Sequence, residues 1–329
     1  MKILIVKLSS LGDVVHAMPA VQDLRRALPQ AQIDWVVERA FAPLVQRCEG
    51  VRRAIPCELR RWRKAPLAAA TRAEWKAFKA ELQQEAYDAV IDLQGLSKSA
   101  LIAWLARVAP GGKRYALANQ TEGSGYEAPT RWVADVAVPI EPHVHAVQRS
   151  RELCARALGY AVPAEEIYGL RPQALSQALP AAARPCVALV HGSSRVDKQW
   201  PAERWLELAR RLDAQGYDLA LLHGTDGEQR RSEAMARTMA HAVVWPRLAL
   251  DALTDALAGC AGVIGVDSGL SHIAVALDLP HVQIYNFDTA WRTGPVQRAR
   301  QRSVYAQPAP TVDAVWQAWL QVGAGGGDR

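Results

Sequence analysis

Two turns rich in hydroxyl groups and glycine, each carrying one acid where a helix should begin, hold the chemistry of this chain. The first ends Lys2-Ile-Leu-Ile-Val-Lys-Leu-Ser9-Ser10-Leu-Gly12-Asp13, and the second is Gly262-Val-Ile-Gly-Val-Asp267-Ser268-Gly269-Leu270-Ser-His272. Small residues let a ligand approach the backbone, and a helix N-terminus offers its unpaired N–H groups to an anion. The amides of Ser268, Gly269 and Leu270 are placed to do so. His272, one turn on, reaches the same anion or packs beneath the loop. Asp267 either caps the helix or faces the ligand. Asp13 has the same two readings: a cap, or a carboxylate able to take a proton from an acceptor hydroxyl.

Two further turns join them. In His191-Gly-Ser193-Ser194-Arg-Val-Asp-Lys198-Gln-Trp-Pro201 the serines can hydrogen-bond phosphate oxygens while Lys198 supplies a point charge. The bland alternative is a capping loop. In Asp92-Leu-Gln94-Gly95-Leu-Ser-Lys98 a second carboxylate, Asp92, stands at the edge of a cleft beside a ligand loop. There is no GxGxxG after a strand, no GxxxxGK[ST], no GxSxG and no HExxH, which removes the usual nicotinamide, P-loop, hydrolase and zinc-protease signatures.

The elements that position these turns alternate along the chain, which predicts α/β architecture with parallel strands. Strands are expected at 2–7, 32–38, 52–56 and 87–93, then at 186–191, 218–223, 241–245, 262–266 and 281–285. Helices are expected at 14–28, 74–85, 97–108 and 143–158, the last stopped by Gly159, then at 201–215, 227–240, 251–259, 269–278 and 311–321. Pro110-Gly-Gly112 reads as a break, and 119–130 as an exposed, mobile loop. The reading divides the chain into a first domain at 1–165, a linker at 166–185, a second domain at 186–310, a terminal helix at 311–322 and a flexible tail at 323–329. Turns of this kind lie at the carboxyl ends of parallel strands, which suggests two halves facing a shared cleft.

At 329 residues two domains are expected. The five cysteines show no metal-like spacing and read as reduced thiols of a cytoplasmic protein. The opening apolar run is too short for a signal peptide, and no stretch is long enough for a membrane span. The eleven tryptophans are scattered and read mainly as packing. Charge is lopsided: residues 1–165 hold 23 Lys and Arg against 17 Asp and Glu, whereas 166–329 hold 16 of each. The excess is densest around Arg60-Arg61-Trp-Arg63-Lys64. An anionic partner met by the first half follows, with nucleic acid, acidic lipid and an acidic substrate all open, beside the plain reading of a solvated face.

These residues resemble the lipopolysaccharide heptosyltransferases of Gram-negative bacteria, and within them the type I branch, nearly end to end. The likeness runs from Ile3 to Pro19, through Arg60 to Lys64, Gln94 to Ser99 and His145 to Glu152, to Ser193 to Pro201 and Val266 to His272. The arginine-rich segment is what favours type I. The resemblance implies a GT-B fold, two Rossmann-like parallel-sheet domains with the active site between them. It implies transfer of L-glycero-D-manno-heptose from ADP-heptose to the 5-hydroxyl of the inner Kdo of Kdo2-lipid A, with inversion and no covalent intermediate. Asp13 would be the general base. Ser193, Ser194, Lys198 and the Ser268, Gly269 and Leu270 amides would hold the diphosphate, leaving no chemical need for a metal or cofactor. By the same matching Glu228 would bind the ribose, Leu248 would line the adenine slot, and Asp267 and His272 would lie near the heptose and diphosphate.

The acceptor side would comprise Ser9, Ser10, Gly12, Gln94, Gly95 and Lys98, with Arg60, Arg61, Arg63 and Lys64 meeting its carboxylates and phosphates. A polyanionic acceptor also implies a cytoplasmic protein peripheral on the anionic inner leaflet, and no nucleic-acid partner. Serines stand at 193, 194 and 268 where the family commonly has threonine. Asn286-Phe-Asp-Thr289 departs from the family's turn, so no ligand contact is assigned there, and none to 119–130. The alternatives are a type II or other family member with a different acceptor, a GT-B-like nucleotide-sugar epimerase, and a basic nucleic-acid or membrane adaptor, which leaves the turns of the neutral half unexplained.

Overall fold

The computed structural model describes residues 1–175, 179–180, 183–296 and 299–324. The chain forms two compact units, Met1–Arg171 and Pro172–Arg329. Part of the expected linker (176–178 and 181–182) and most of the expected tail (325–329) lie outside the described residues.

The first unit is one sheet of six strands: β1 (Lys2–Val6), β2 (Gln32–Glu38), β3 (Val51–Cys57), β4 (Tyr87–Asp92), β5 (Val108–Leu117) and β6 (Val136–Val138). Their spatial order is β3-β2-β1-β4-β5-β6 and every pairing is parallel. The second unit repeats the plan with β7 (Cys186–Val190), β8 (Asp218–Leu221), β9 (Ala242–Val244), β10 (Gly262–Val266), β11 (His281–Tyr285) and β12 (Gln301–Tyr305), in the order β12-β11-β10-β7-β8-β9, again all parallel. Strands of a doubly wound sheet are covered on both faces and so read as unbroken apolar runs. Ile3, Leu4, Ile5 and Val6 are accordingly all fully buried. A buried polar position needs partners: Asp34 of β2 accepts from Arg52 Nε at 2.9 Å, Arg52 Nη2 at 2.8 Å and the Tyr87 hydroxyl at 2.8 Å.

Three strands were not expected. Within β5, Pro110-Gly-Gly112 is a bulge rather than a break: Tyr87 pairs with Val108, but Ala89 pairs with Lys113. A Cβ on Gly112 would lie 2.7 Å from the Tyr87 carbonyl oxygen, so the bulge closes only over glycine. The bulge and strand also shorten the helix expected at 97–108, which is Ser97–Leu105. β6 has three residues, and β12 is a polar edge strand. The helix expected at 143–158 runs Ala146–Leu158 and ends on Gly159 at φ 72°, the left-handed stop that glycine supplies. No helix among the described residues is long and apolar enough to cross a membrane.

Candidate active site

In each unit the chain winds outward from a middle strand in one direction and then returns to wind the other way, so the reversal falls between β1 and β4 and between β7 and β10. Loops that diverge from neighbouring strands at such a reversal leave a crevice at their carboxyl ends. The four turns singled out by their chemistry are the turns that follow these four strands.

After β1, Ser10 precedes the helix Leu11–Ala27, and Asp13 folds back on it: Asp13 Oδ2 accepts from the Ser10 amide at 3.1 Å and the Ser10 hydroxyl at 2.8 Å. One oxygen therefore serves the helix end. The other, Oδ1, lies 3.7 Å from Lys7 Nζ and 3.9 Å from Arg149 Nη2, with the side chain 37% exposed. The cap and the cationic setting coexist on one carboxylate. Partial burial pushes Asp13 up, but Lys7, the Ser10 hydrogen bonds and Arg149 outweigh it and hold the carboxyl below its usual range. Lys7 is buried and donates to the Leu93 carbonyl at 3.0 Å. Burial, only partly offset by Asp13, brings its ammonium down to about 8.

The turn after β4 is tied to this one. Gln94 Oε1 accepts from the Leu8 and Ser9 amides at 3.0 and 3.1 Å, and Lys98 Nζ donates to the Ser9 hydroxyl at 2.7 Å. Gly95 holds φ 78°. Asp92 is a correction: it is buried, not at a cleft edge. Its Oδ1 accepts from the Gln94 and Gly95 amides at 2.9 and 3.2 Å, and its Oδ2 from the Ser99 hydroxyl at 2.9 Å. Burial pushes it up to about 6 against those bonds. It shapes the turn after β4 from beneath.

The segment 119–130, half of it exposed, is joined to its neighbours by hydrogen bonds. Its Thr121 hydroxyl accepts from Arg149 Nη1 at 3.1 Å, the Glu127 amide donates to Gly95, and Glu127 Oε2 accepts from the Ser97 amide at 2.7 Å. Arg60, Arg61, Arg63 and Lys64 are exposed around the helix Leu59–Trp62, which is anchored by Trp62 packed on Trp75 and Phe78. Arg61 is paired with Glu58 at 2.6 Å and with Glu74. The field of Arg60 adds to burial in holding the Lys98 ammonium down, which sets Arg60 close to the β4 turn.

In the second unit Lys198 Nζ donates to Asp267 Oδ2 at 2.5 Å, and His272 Nε2 lies 3.5 Å from Asp267 Oδ1. The Ser193 hydroxyl donates to the Asp267 carbonyl at 3.2 Å. Asp267 does not cap the helix Gly269–Ala276, whose N-cap is Ser268. Burial pushes the Asp267 carboxyl up, but His272 and Lys198 hold it well below the carboxylate range. The Ser268 hydroxyl is buried at that helix end without a hydrogen-bond partner among the described residues.

Glu228 completes a reciprocal cap with Thr225 on the helix Asp226–Ala236, its Oε2 accepting from the Gly224 and Thr225 amides at 2.8 and 3.2 Å. Its Oε1 lies 2.7 Å from where a Cβ on Gly192 would stand, so the carboxylate rests on the turn after β7. Ser194 on that turn is exposed, and Leu248 is half-buried in the segment after β9. Asn286 donates to the Asp197 and Gln199 carbonyls at 3.1 and 2.9 Å, bracing the Lys198 loop. Beside it, His191 is held neutral, since burial lowers it to about 4, and its Nε2 pairs with the Ser232 hydroxyl at 2.7 Å.

Sequence reasoning therefore assembled Ser9, Ser10, Asp13, Gln94 and Lys98 in one cluster and Ser193, Lys198, Asp267 and His272 in another. It gave no role to Lys7, Arg149 or Asn286. A lysine closing a strand otherwise buried on both faces was a legible signal for Lys7. Arg149 and Asn286 act across long stretches of chain and left none.

Known proteins resemble this chain over most of its length. Residues 75–315 match the family model described as glycosyltransferase family 9 (heptosyltransferase). The chain is 40% identical over 290 residues to lipopolysaccharide heptosyltransferase 1 of Escherichia coli strain K12, spanning 87% of this chain and 88% of the relative. The solved structure of E. coli heptosyltransferase WaaC with ADP superposes at a TM-score of 0.85 and 36% identity, covering 96% of this chain and 98% of that one. The same enzyme with ADP-2-deoxy-2-fluoro heptose gives 0.81 and 35% over the same shares. With two doubly wound parallel sheets, this match and these likenesses, the chain belongs to glycosyltransferase family 9, the heptosyltransferases.

Proposed function

We propose that this enzyme transfers L-glycero-D-manno-heptose from ADP-heptose to the 5-hydroxyl of the inner Kdo of Kdo2-lipid A, with inversion. The observation that carries the reading is Asp13: a carboxylate kept ionised by Lys7 and Arg149 at the strand reversal of the basic unit, with one oxygen free of the helix cap. In a single displacement the acceptor oxygen bonds to the heptose anomeric carbon while the bond from that carbon to the diphosphate oxygen breaks. The acceptor proton passes to Asp13, and the electron pair leaves with ADP. A carboxylate held below its usual range takes the proton late, once bond formation has made the hydroxyl acidic. In the second unit Lys198, the Ser193 and Ser268 hydroxyls and the amides opening Gly269–Ala276 meet the departing diphosphate. Glu228 meets the ribose and Leu248 the adenine.

Arg60, Arg63 and Lys64, with Lys98 and Gln94, receive the acceptor's carboxylates and phosphates, and Arg61 joins them by exchanging its glutamate partners. The anionic bilayer that carries such an acceptor draws the same basic unit toward it. The test is ADP release from ADP-heptose in EDTA, with and without Kdo2-lipid A. Release that requires this acceptor supports the reading. Release only after a first heptose is present reassigns the acceptor to that of a type II enzyme, and consumption of donor without any acceptor replaces transfer by epimerisation.

A further inference from the structure

The helix Ser97–Leu105 is apolar on both sides. Ala100, Ile102 and Ala103 face inward, while Leu101 and Trp104 point out at 40% and 61% exposure. The short helix Pro129–Val133 packs against it and contributes Trp132, 75% exposed. A surface helix normally turns charge to water, so an outward row of leucine and tryptophan calls for a covering.

We infer that this face is a membrane-seating surface, which sinks its tryptophans into the headgroup layer of an anionic bilayer. Tryptophan favours that layer because an apolar ring and a polar N–H are both satisfied there. The exposed cations Arg107, just past the end of the helix, and Arg131, beside Trp132, carry one sign of charge, complementary to anionic lipid. The nearby acids are already engaged, Asp135 with Arg114 and Glu127 with the Ser97 amide. A second copy of the chain on this face would set these two cations against their own counterparts in a two-fold pairing. The helix also begins at the acceptor turn: Lys98 bonds Ser9, and Trp104 follows six residues later, roughly 9 Å along the axis. Seating this face brings a lipid-borne acceptor to the turn that receives it. This part rests on the proposed lipid acceptor.

The test is co-sedimentation of the full chain with vesicles of phosphatidylcholine mixed with phosphatidylglycerol, comparing the wild type with the double variant Trp104→Ser, Trp132→Ser. The wild type is expected to sediment with them, and the variant to lose at least about tenfold in partitioning, as the loss of buried ring area requires. Both positions are exposed, so unchanged ADP binding and thermal unfolding will certify the variant's fold. Equal sedimentation of the two proteins, or none by the wild type, overturns the inference. So does a wild-type dimer on gel filtration that the variant abolishes. Turnover of water-soluble, de-acylated acceptor separates this from the functional reading. A sound seating surface leaves the variant's rate on soluble acceptor unchanged and lowers it on vesicle-borne acceptor. If the wild type uses neither acceptor yet binds vesicles, the functional reading fails while the surface stands.

Discussion

Lys7 and Asp13 form a pair in which the cation is buried and the anion is not: Nζ and Oδ1 are 3.7 Å apart, with side-chain exposures of 2% and 37%. The charge that tunes the proposed base is thus shielded from solvent, while the base itself stays open to a substrate. Lys98 and Arg149 add their fields from the helices Ser97–Leu105 and Ala146–Leu158. In Lys7→Met the Asp13 carboxyl should rise. A base must be ionised, so the acid limb of kcat/KM should move to higher pH. Donor affinity should not change. A pH profile with an unmoved acid limb would separate Lys7 from Asp13.

Asp13→Asn keeps an oxygen for the Ser10 amide and so spares the helix end, which Asp13→Ala does not. Turnover should fall by roughly 10²–10⁴-fold while ADP affinity stays nearly intact. Calorimetric titration with ADP beside steady-state rates checks both halves of the statement. A variant with wild-type turnover would remove Asp13 from the base role.

Lys198 is positioned by Asp267 at 2.5 Å rather than left to wander. Lys198→Ala should weaken ADP binding by roughly tenfold to a hundredfold, the range for one hydrogen bond to a charged group. Lys198→Arg should recover only part of it, because a planar fork does not fit a point-charge position. Equal ADP affinity across all three proteins would place the lysine outside the diphosphate site.

Gly192→Ala puts a methyl group 2.7 Å from Glu228 Oε1. The obstructing atom is the end of a flexible side chain, so the carboxylate should swing away at little cost in stability. ADP affinity should fall with nearly unchanged thermal unfolding. Loss of stability without loss of affinity would show that Glu228 serves only as the cap of Asp226–Ala236.

Asp92 gives a pH prediction of opposite kind. Its folded-state value, raised by burial to about 6, lies above the ordinary 3.8. The folded state keeps the proton longer, so this group's contribution is full below that lower value and is lost as pH rises to about 6. Asp92→Asn can keep the same turn while carrying no charge. The difference in unfolding temperature, variant minus wild type, should grow between about pH 4 and 6 and then level off. A flat difference would mean Asp92 is not charged at a cost.

Much of the fold was legible because parallel strands covered on both faces are apolar runs closed by small polar turns, and Ile3–Val6 and Gly262–Val266 are plain examples. The strand at Val108–Leu117 was hidden because Pro110-Gly-Gly112 has the composition of a break, whereas a sheet can swallow it as a bulge. Gln301–Tyr305 was hidden because an edge strand needs no unbroken apolar run. The turns of the candidate site were legible by residue type. The tuning of Asp13 was not, because it depends on Arg149 arriving from a helix far along the chain, and only tertiary packing decides which cation faces which acid.

The two sheets share one winding order, and no strand is common to both. Each half therefore has its own interior and its own crevice-forming reversal. On the proposed assignment of acceptor to Met1–Arg171 and donor to Pro172–Arg329, heritable change in one half's ligand chemistry can accumulate without rewriting the turns of the other. On this plan a lineage can exchange the molecule it decorates while keeping the activated sugar it spends, which makes the first half the place where relatives should diverge in specificity.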